Sequence, residues 1–379
     1  MIKRFYDDLS SYLKPGKVLI VQGPRQTGKT TLVQNNLRSM KQYKQIYLTG
    51  DSIEAKTIFS SQSLDTISSF AKNFDLIAID EAQKIEGIGL GLKILVDHVP
   101  EIRVIATGSS SFDLVNKIGE PLVGRAIRLN LYPISIAELQ TDGLNEYELQ
   151  QKLQQYLLYG FYPEVITAET ILQKKEYLHN LVDMYLLRDV LEFAGIKGSK
   201  FIVSLLKLLA FQVGNLVSLT ELGQNLQANV RTIAKYLDLL EKSYIIKSLC
   251  GFSRNQRKEI TKKNKYYFFD TGVRNALIGN FNELQVRNDV GALWENFLVM
   301  ERLKKQEYTR LYANNYFWRT WDGQEVDWVE EREGKALGYE FTFSDKQAQK
   351  KKEPKDWKKA WSETSYEIIT PENYLDFVT

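Results

Sequence analysis

The sequence predicts an α/β chain that begins with a parallel sheet covered by helices on both faces. Three observations predict it. Short apolar runs without strict alternation recur at Val18 to Val21, Gln45 to Leu48, Asp75 to Ile79, Arg103 to Ala106 and Ala126 to Leu131, as expected for strands buried on both faces. Helix-like stretches lie between them, beginning with Leu32 to Leu37. The third observation is the stretch Gly23-Pro24-Arg25-Gln26-Thr27-Gly28-Lys29-Thr30-Thr31 between the first strand and the first helix. Strand, glycine-rich loop and helix in that order form the setting of a phosphate-binding loop.

The chemistry of that loop follows from its residues. Backbone N–H groups of the loop and of the helix N-terminus suit an anion. Gly23 and Gly28 permit backbone angles and close approaches that a Cβ hinders. Lys29 reaches the terminal phosphates, and Thr30 offers a hydroxyl to a Mg²⁺ ion that the phosphates also ligate. The third strand ends in Asp80-Glu81. At the carboxyl end of such a strand Asp80 can hold the Mg²⁺ shell, and Glu81 can polarise a water toward the γ-phosphate. The fourth strand ends in Thr107-Gly108-Ser109-Ser110-Ser111. Hydroxyls there, Thr107 and Ser109 first, are candidates for the γ-phosphate or its water. Gly124-Arg125 precedes the fifth strand, and Arg125 is a candidate to reach a phosphate in its own or a neighbouring site; a surface ion pair is the alternative.

Composition bounds the rest. A chain of 379 residues holds two or three domains, and 44% hydrophobic content is ordinary for packed cores. With a net charge of +3 the whole chain does not announce nucleic acid, so any basic patch is local. Cys250 is the sole cysteine, so no intrachain disulfide forms and a reducing compartment fits. His98 and His179 are too few for a zinc site. No apolar run spans a membrane. Lys3 and Arg4 lead into Asp7 and Asp8, not into an apolar signal core, and the expected address is cytosolic.

Together the loop, Ile79-Asp80-Glu81-Ala82-Gln83, Thr107-Gly108-Ser109-Ser110, Gly124-Arg125 and Leu131-Tyr132-Pro133-Ile134-Ser135 resemble the AAA-type ATPases of bacteria and archaea that carry a C-terminal DUF4143 region. Order and spacing match over most of the chain. The resemblance implies ATP and Mg²⁺ as ligands and a P-loop NTPase core of the additional-strand, catalytic-glutamate type. It also implies a C-terminal half made of a winged helix and a restriction-endonuclease-like α/β module.

The resulting division is a P-loop core at 1–135, a helical lid or linker at 136–199, a winged helix-turn-helix at 200–270 and a nuclease-like module at 271–379. Helical patterns run from Glu138 to Leu158 and from Lys174 to Phe193, followed by helices opening at Phe201, Ser218 and Asn229, with a strand from Tyr244 to Ile246. Asn229, Arg231, Thr232 and Lys235 start the third of these last helices. The basic stretch Arg254, Arg257, Lys258, Lys262, Lys263 and Lys265 reads either as a wing gripping DNA phosphates or as solvated residues flanking a buried strand. In the last module Asp327 and Glu340 lie on adjacent strands, and with Glu295 from a preceding helix they form a possible degenerate nuclease site for Mg²⁺.

That fold places a lysine two residues after the second carboxylate. Here the position is Thr342, and Lys346 lies about 13 Å further along an extended chain. The expected module engages DNA or a protein partner without cutting. An ATP-regulated nuclease and a nucleotide switch that recruits a protein are the alternatives.

Overall fold

The computed structural model describes residues 2–108, 122–186, 199–252, 263–360 and 364–379. Ser109, Arg254, Arg257, Lys258 and Lys262 lie outside the described residues. The chain forms two compact units, Arg4–Pro133 with Lys242–Tyr244, and Met1–Lys3 with Ile134–Glu241 and Ile245–Thr379.

The first unit is built on strands β1 (Lys17–Gln22), β2 (Gln45–Thr49), β3 (Leu76–Asp80), β4 (Arg103–Gly108) and β5 (Ala126–Asn130). They lie in the order β2-β3-β4-β1-β5, all parallel. The additional strand β4 therefore separates the strand before the glycine-rich loop from the strand ending in Asp80. Val18 to Val21 are all at most 1% exposed, so both faces of β1 are covered, as the unalternating apolar run predicts. Helices α1 (Lys29–Ser39), α2 (Ile53–Ser60), α3 (Leu64–Ala71) and α4 (Ile88–His98) connect the strands. Ser52 and Ser63 cap α2 and α3 by accepting the N–H groups of Ala55 and Thr66. Phe59, Ile67, Leu92 and Leu95 pack with Val18, Ile20, Ile77, Ile79 and Val104 in one core. A parallel sheet turns the carboxyl ends of its strands to one edge, where ligands bind in open α/β sheets.

The second unit opens with α5 (Ile136–Thr141) and α6 (Glu146–Tyr159), where a single helix was expected from Glu138. Gly143, at φ +115°, breaks the pattern. Asn145 and Glu148 form a capping box that starts α6 afresh. Then come α7 (Pro163–Thr167) and α8 (Ile171–Asn180). Of the helix expected from Lys174 to Phe193, the described part is α8, capped by Thr170, followed by a π-helical segment Leu181–Leu186, and residues 187–193 lie outside the described residues. Helices α9 (Ser199–Phe211), α10 (Leu219–Asn225) and α11 (Val230–Lys242) follow. Ser218 caps α10 through Glu221, and Asn229 caps α11 through Thr232. Tyr244 does not open the next strand. It sits at φ +56° in the turn that ends α11, and β6 runs Ile246–Gly251.

A mixed sheet completes this unit: β6, β7 (Lys265–Phe268), β8 (Asn314–Arg319), β9 (Glu325–Arg332), β10 (Lys335–Phe341) and β11 (Thr364–Ile369), in the order β11-β10-β9-β8-β6-β7. β6 pairs antiparallel with β7 and parallel with β8, through Cys250 with Tyr316 and Gly251 with Phe317. Residues on either side of the expected division at 270 thus share one sheet. Helices α12 (Thr271–Leu277) and α13 (Val290–Thr309) lie between β7 and β8. Asp270 caps α12 through Val273 N–H and also accepts Phe161 N–H at 2.6 Å. Burial raises its carboxyl to about 6, against the N–H groups that favour the charged form.

The Arg302 guanidinium on α13 meets Glu330 on β9 at 2.5 and 3.0 Å and the Phe377 carbonyl at 2.6 Å. Trp328 and Gln306 also donate to Glu330, which is fully buried. Breaking such a pair strands a charge. Glu330→Ala is expected to cost roughly 3–5 kcal/mol of stability. Denaturant titration checks this, and a loss below about 1 kcal/mol would show that Arg302 finds other partners.

Candidate functional site

The glycine-rich loop leaves β1 at the carboxyl edge of the first sheet. A Cβ on Gly23, at φ +151°, would stand 2.1 Å from the Leu131 carbonyl oxygen, so no side chain fits. Gly28, at φ +92°, begins α1, and Leu32 N–H returns to its carbonyl at 2.8 Å. Within the loop Thr27 Oγ1 donates to the Pro24 carbonyl at 3.0 Å. Lys29 is buried, and its ammonium donates to the carbonyls of Gly23 and Pro24 at 3.0 and 2.6 Å. Gln26 and Thr31 are exposed, and Arg25 is half-buried.

Thr30 on α1 donates to Asp80 Oδ2 at 2.8 Å. Tyr47 of β2 donates to the same oxygen at 2.9 Å. Burial and the neighbouring Asp80 charge push the Tyr47 phenol up to about 12. Thr107 of β4 donates to Asp80 Oδ1 and accepts Glu81 N–H at 3.0 Å. Its hydroxyl, expected to face a phosphate, is committed to these two neighbours, and Thr107 is fully buried. Glu81 adopts a left-handed backbone at φ +52°. Gln83 Nε2 donates to its carboxylate at 2.7 Å. The structure thus brings Lys29, Thr30, Asp80, Glu81 and Thr107 together, and adds Tyr47 and Gln83. Sequence reasoning passed over both, although their positions on β2 and just after Asp80-Glu81 were a usable cue.

Arg125 stands apart. Its carbonyl accepts Val18 N–H, and Val18 pairs with Ala126 at the amino end of β5. The loop leaves the other end of β1, about 15 Å along the strand. The Arg125 guanidinium pairs with Asp97 at 2.5 Å and holds that carboxyl below its usual range. The ion-pair alternative is what the structure contains, and Arg125 does not reach the loop of its own chain.

In the second unit Glu295, Asp327 and Glu340 do converge, from α13, β9 and β10. Between Glu295 and Asp327 is Lys265 of β7, expected to be a solvated or phosphate-gripping lysine. It is 2% exposed. Its ammonium lies 3.0 Å from Glu295, 2.8 Å from Glu325 and 3.6 Å from Asp327. Burial opposes its charge, but these carboxylates outweigh burial and hold it above its usual range. Tyr267 donates to Glu295 at 2.6 Å, and Phe341 N–H to Asp327 at 2.9 Å. Lys351, not Lys346, pairs with Glu340, while Lys346 is exposed. Thr342 is buried, with its N–H on the Ile369 carbonyl. Among the described residues no group of three or more His, Cys, Asp or Glu is arranged to hold a metal ion; in this cluster a lysine ammonium stands among the carboxylates.

Residues 15–140 match the family model described as AAA domain, and residues 290–373 match the domain of unknown function DUF4143. The chain thus carries an AAA domain followed by a C-terminal DUF4143 region. Residues 150–284 match a second domain of unknown function, DUF8612. An uncharacterized protein of Mycobacterium tuberculosis is 28% identical over 86% of the chain and 70% of its own length. One of Methanocaldococcus jannaschii is 24% identical over 93% and 80%. Among solved structures, AMPPCP-bound DnaA from Aquifex aeolicus aligns at TM-score 0.28 and 18% identity, covering 62% of this chain and 84% of that one. No helix among the described residues is long and apolar enough to cross a membrane.

Burial and the Asp327 charge raise Glu340 to about 7, against the pull of Lys351; burial first, then Asp327, raises Glu295 to about 7 against Lys265. Folded-state values above the unfolded 4.5 mean that the folded chain holds the extra protons. This contribution to stability is complete below about pH 4.5 and is lost as pH rises through about 7. Melting temperature in Glu340→Gln is therefore expected to fall less between about pH 5 and 8 than in wild type. Equal slopes would show that Glu340 does not titrate there.

Proposed function

We propose that the chain binds ATP with Mg²⁺ and hydrolyses it to ADP and phosphate, and that its C-terminal half engages a target, DNA being the candidate. The observation that carries the first part is the chain of contacts from Thr30 through Asp80 and Thr107 to Glu81. Loop N–H groups receive the phosphates, and Lys29 exchanges its two loop carbonyls for phosphate oxygens. Thr30 and Asp80, hard oxygen donors already 2.8 Å apart, suit Mg²⁺ and would hold it. When bound, Mg²⁺ neutralises phosphate charge. Glu81, released from Gln83, orients the attacking water and takes its proton. Arg125 can serve only a neighbouring copy in this reading.

Lys29→Ala is expected to weaken ATP binding. Glu81→Gln is expected to keep binding and to slow turnover by about 10²-fold or more. Radiolabelled phosphate release with a parallel binding titration checks both, and equal turnover in wild type and Glu81→Gln would remove Glu81 from that role.

Three helices α9 to α11 followed by the antiparallel pair β6 and β7 support the winged-helix reading. Asn229 is engaged as the cap of α11, while Arg231 and Lys235 remain exposed and suited to phosphates. Glu295, Asp327 and Glu340 on a shared cluster support a nuclease-like module, and the Lys265 ammonium among them supports one that does not cut. Plasmid nicking in Mg²⁺ by wild type is expected to equal that of Glu340→Ala. Nicking by wild type that disappears in Glu340→Ala would restore the nuclease alternative.

A further inference from the structure

We propose that Arg4 is a positioning residue of the nucleotide loop, holding the Thr27–Gly28 peptide so that the Gly28 N–H faces the phosphates. This rests on the reading of Gly23 to Thr31 as the nucleotide site. One guanidinium nitrogen of Arg4 donates to the Thr27 carbonyl at 2.6 Å, and the other donates to the Tyr132 carbonyl at 2.6 Å. A trans peptide sets its C=O and N–H in opposite directions. With the Thr27 oxygen drawn to Arg4, the Gly28 N–H of the same peptide points away from it. Thr27 Oγ1 and the Lys29 ammonium are both engaged with loop carbonyls, so neither does this work.

The anchor is itself fixed. Asn36 on α1 accepts Leu9 N–H at 2.8 Å and donates to the Asp7 carbonyl at 3.0 Å. Tyr6 and Leu9 are buried beside it. The second carbonyl that Arg4 holds belongs to the segment after β5, whose Leu131 leaves no room for a side chain at Gly23. Both flanks of the loop are thereby tied to one backbone segment, at Gly23 by contact and at Thr27 through Arg4. The planar fork of arginine suits two carbonyls at once, whereas a lysine ammonium is a point donor on a flexible stem.

The test uses the full chain and a fluorescent ATP analogue with Mg²⁺, in wild type, Arg4→Met, Arg4→Lys and Lys29→Ala. Arg4→Met is expected to weaken binding about tenfold, as the loss of two net-favourable hydrogen bonds would. It should raise KM for ATP more than it lowers kcat. Arg4→Lys should fall between, at about threefold. Arg4→Met binding as wild type, while Lys29→Ala loses binding, would overturn the positioning role and leave the nucleotide reading intact. Unchanged binding in Lys29→Ala would strike the nucleotide reading itself. If melting shows that Arg4→Met does not fold, Arg4→Lys decides. Full wild-type affinity in it overturns the fork argument, and a partial loss with an unchanged melting temperature supports it.

Discussion

The Asp80 carboxylate is where the first unit converges. It is 7% exposed and takes hydroxyl groups from α1, β2 and β4. A buried carboxylate is costly without such donors. Each donor comes from a different part of the chain, and only the parallel order with β4 inserted beside β3 brings them to one point. Thr107 then passes the arrangement on, since the oxygen that donates to Asp80 also receives the N–H of Glu81. The left-handed backbone at Glu81 is held by that bond and by the close approach of Gly50, where a Cβ would meet the Glu81 carbonyl oxygen at 2.2 Å. Strain of this kind persists only where neighbours over-determine it.

The second unit solves a related problem with charge. Glu295, Glu325, Asp327 and Glu340 gather around Lys265 and Lys351. Lys265 is secured by three acidic side chains from a helix and a strand, with Tyr267 donating to one of them. An ammonium with several acidic partners substitutes for the ion such a carboxylate group otherwise attracts, and it does so without a free coordination position.

Much of the first unit was legible because its signals are local. Apolar runs mark β1 to β5, and the loop and Asp80-Glu81 are contiguous motifs. The failures are long-range or hinge on a single turn. Gly143 splits a helix whose apolar period continues through it, because a positive φ and a fresh cap override periodicity. Arg125 looks like a loop arginine near a phosphate site, but strand direction puts it at the opposite edge. Lys265 sits in a basic run and reads as solvated, while its partners Glu295, Glu325 and Asp327 are distant in sequence. Thr342 stands where a lysine was looked for, and nothing local indicated that β7 places an ammonium beside Glu295, Glu325 and Asp327.

The opening of the second unit is tied to a helix made much later. The Ile134 carbonyl accepts from Lys304 and Ile136 N–H donates to Glu301, across 170 and 165 residues. On a ribosome the five strands of the first sheet are complete at Asn130, well before those partners exist. At about 5–20 residues per second, α5 waits roughly 8 to 34 s for α13 to emerge. Through that interval the Ile134 carbonyl and the Ile136 N–H have no α13 partner. The nascent chain thus carries all five strands of the nucleotide-loop unit followed by a segment whose backbone groups still await their partners.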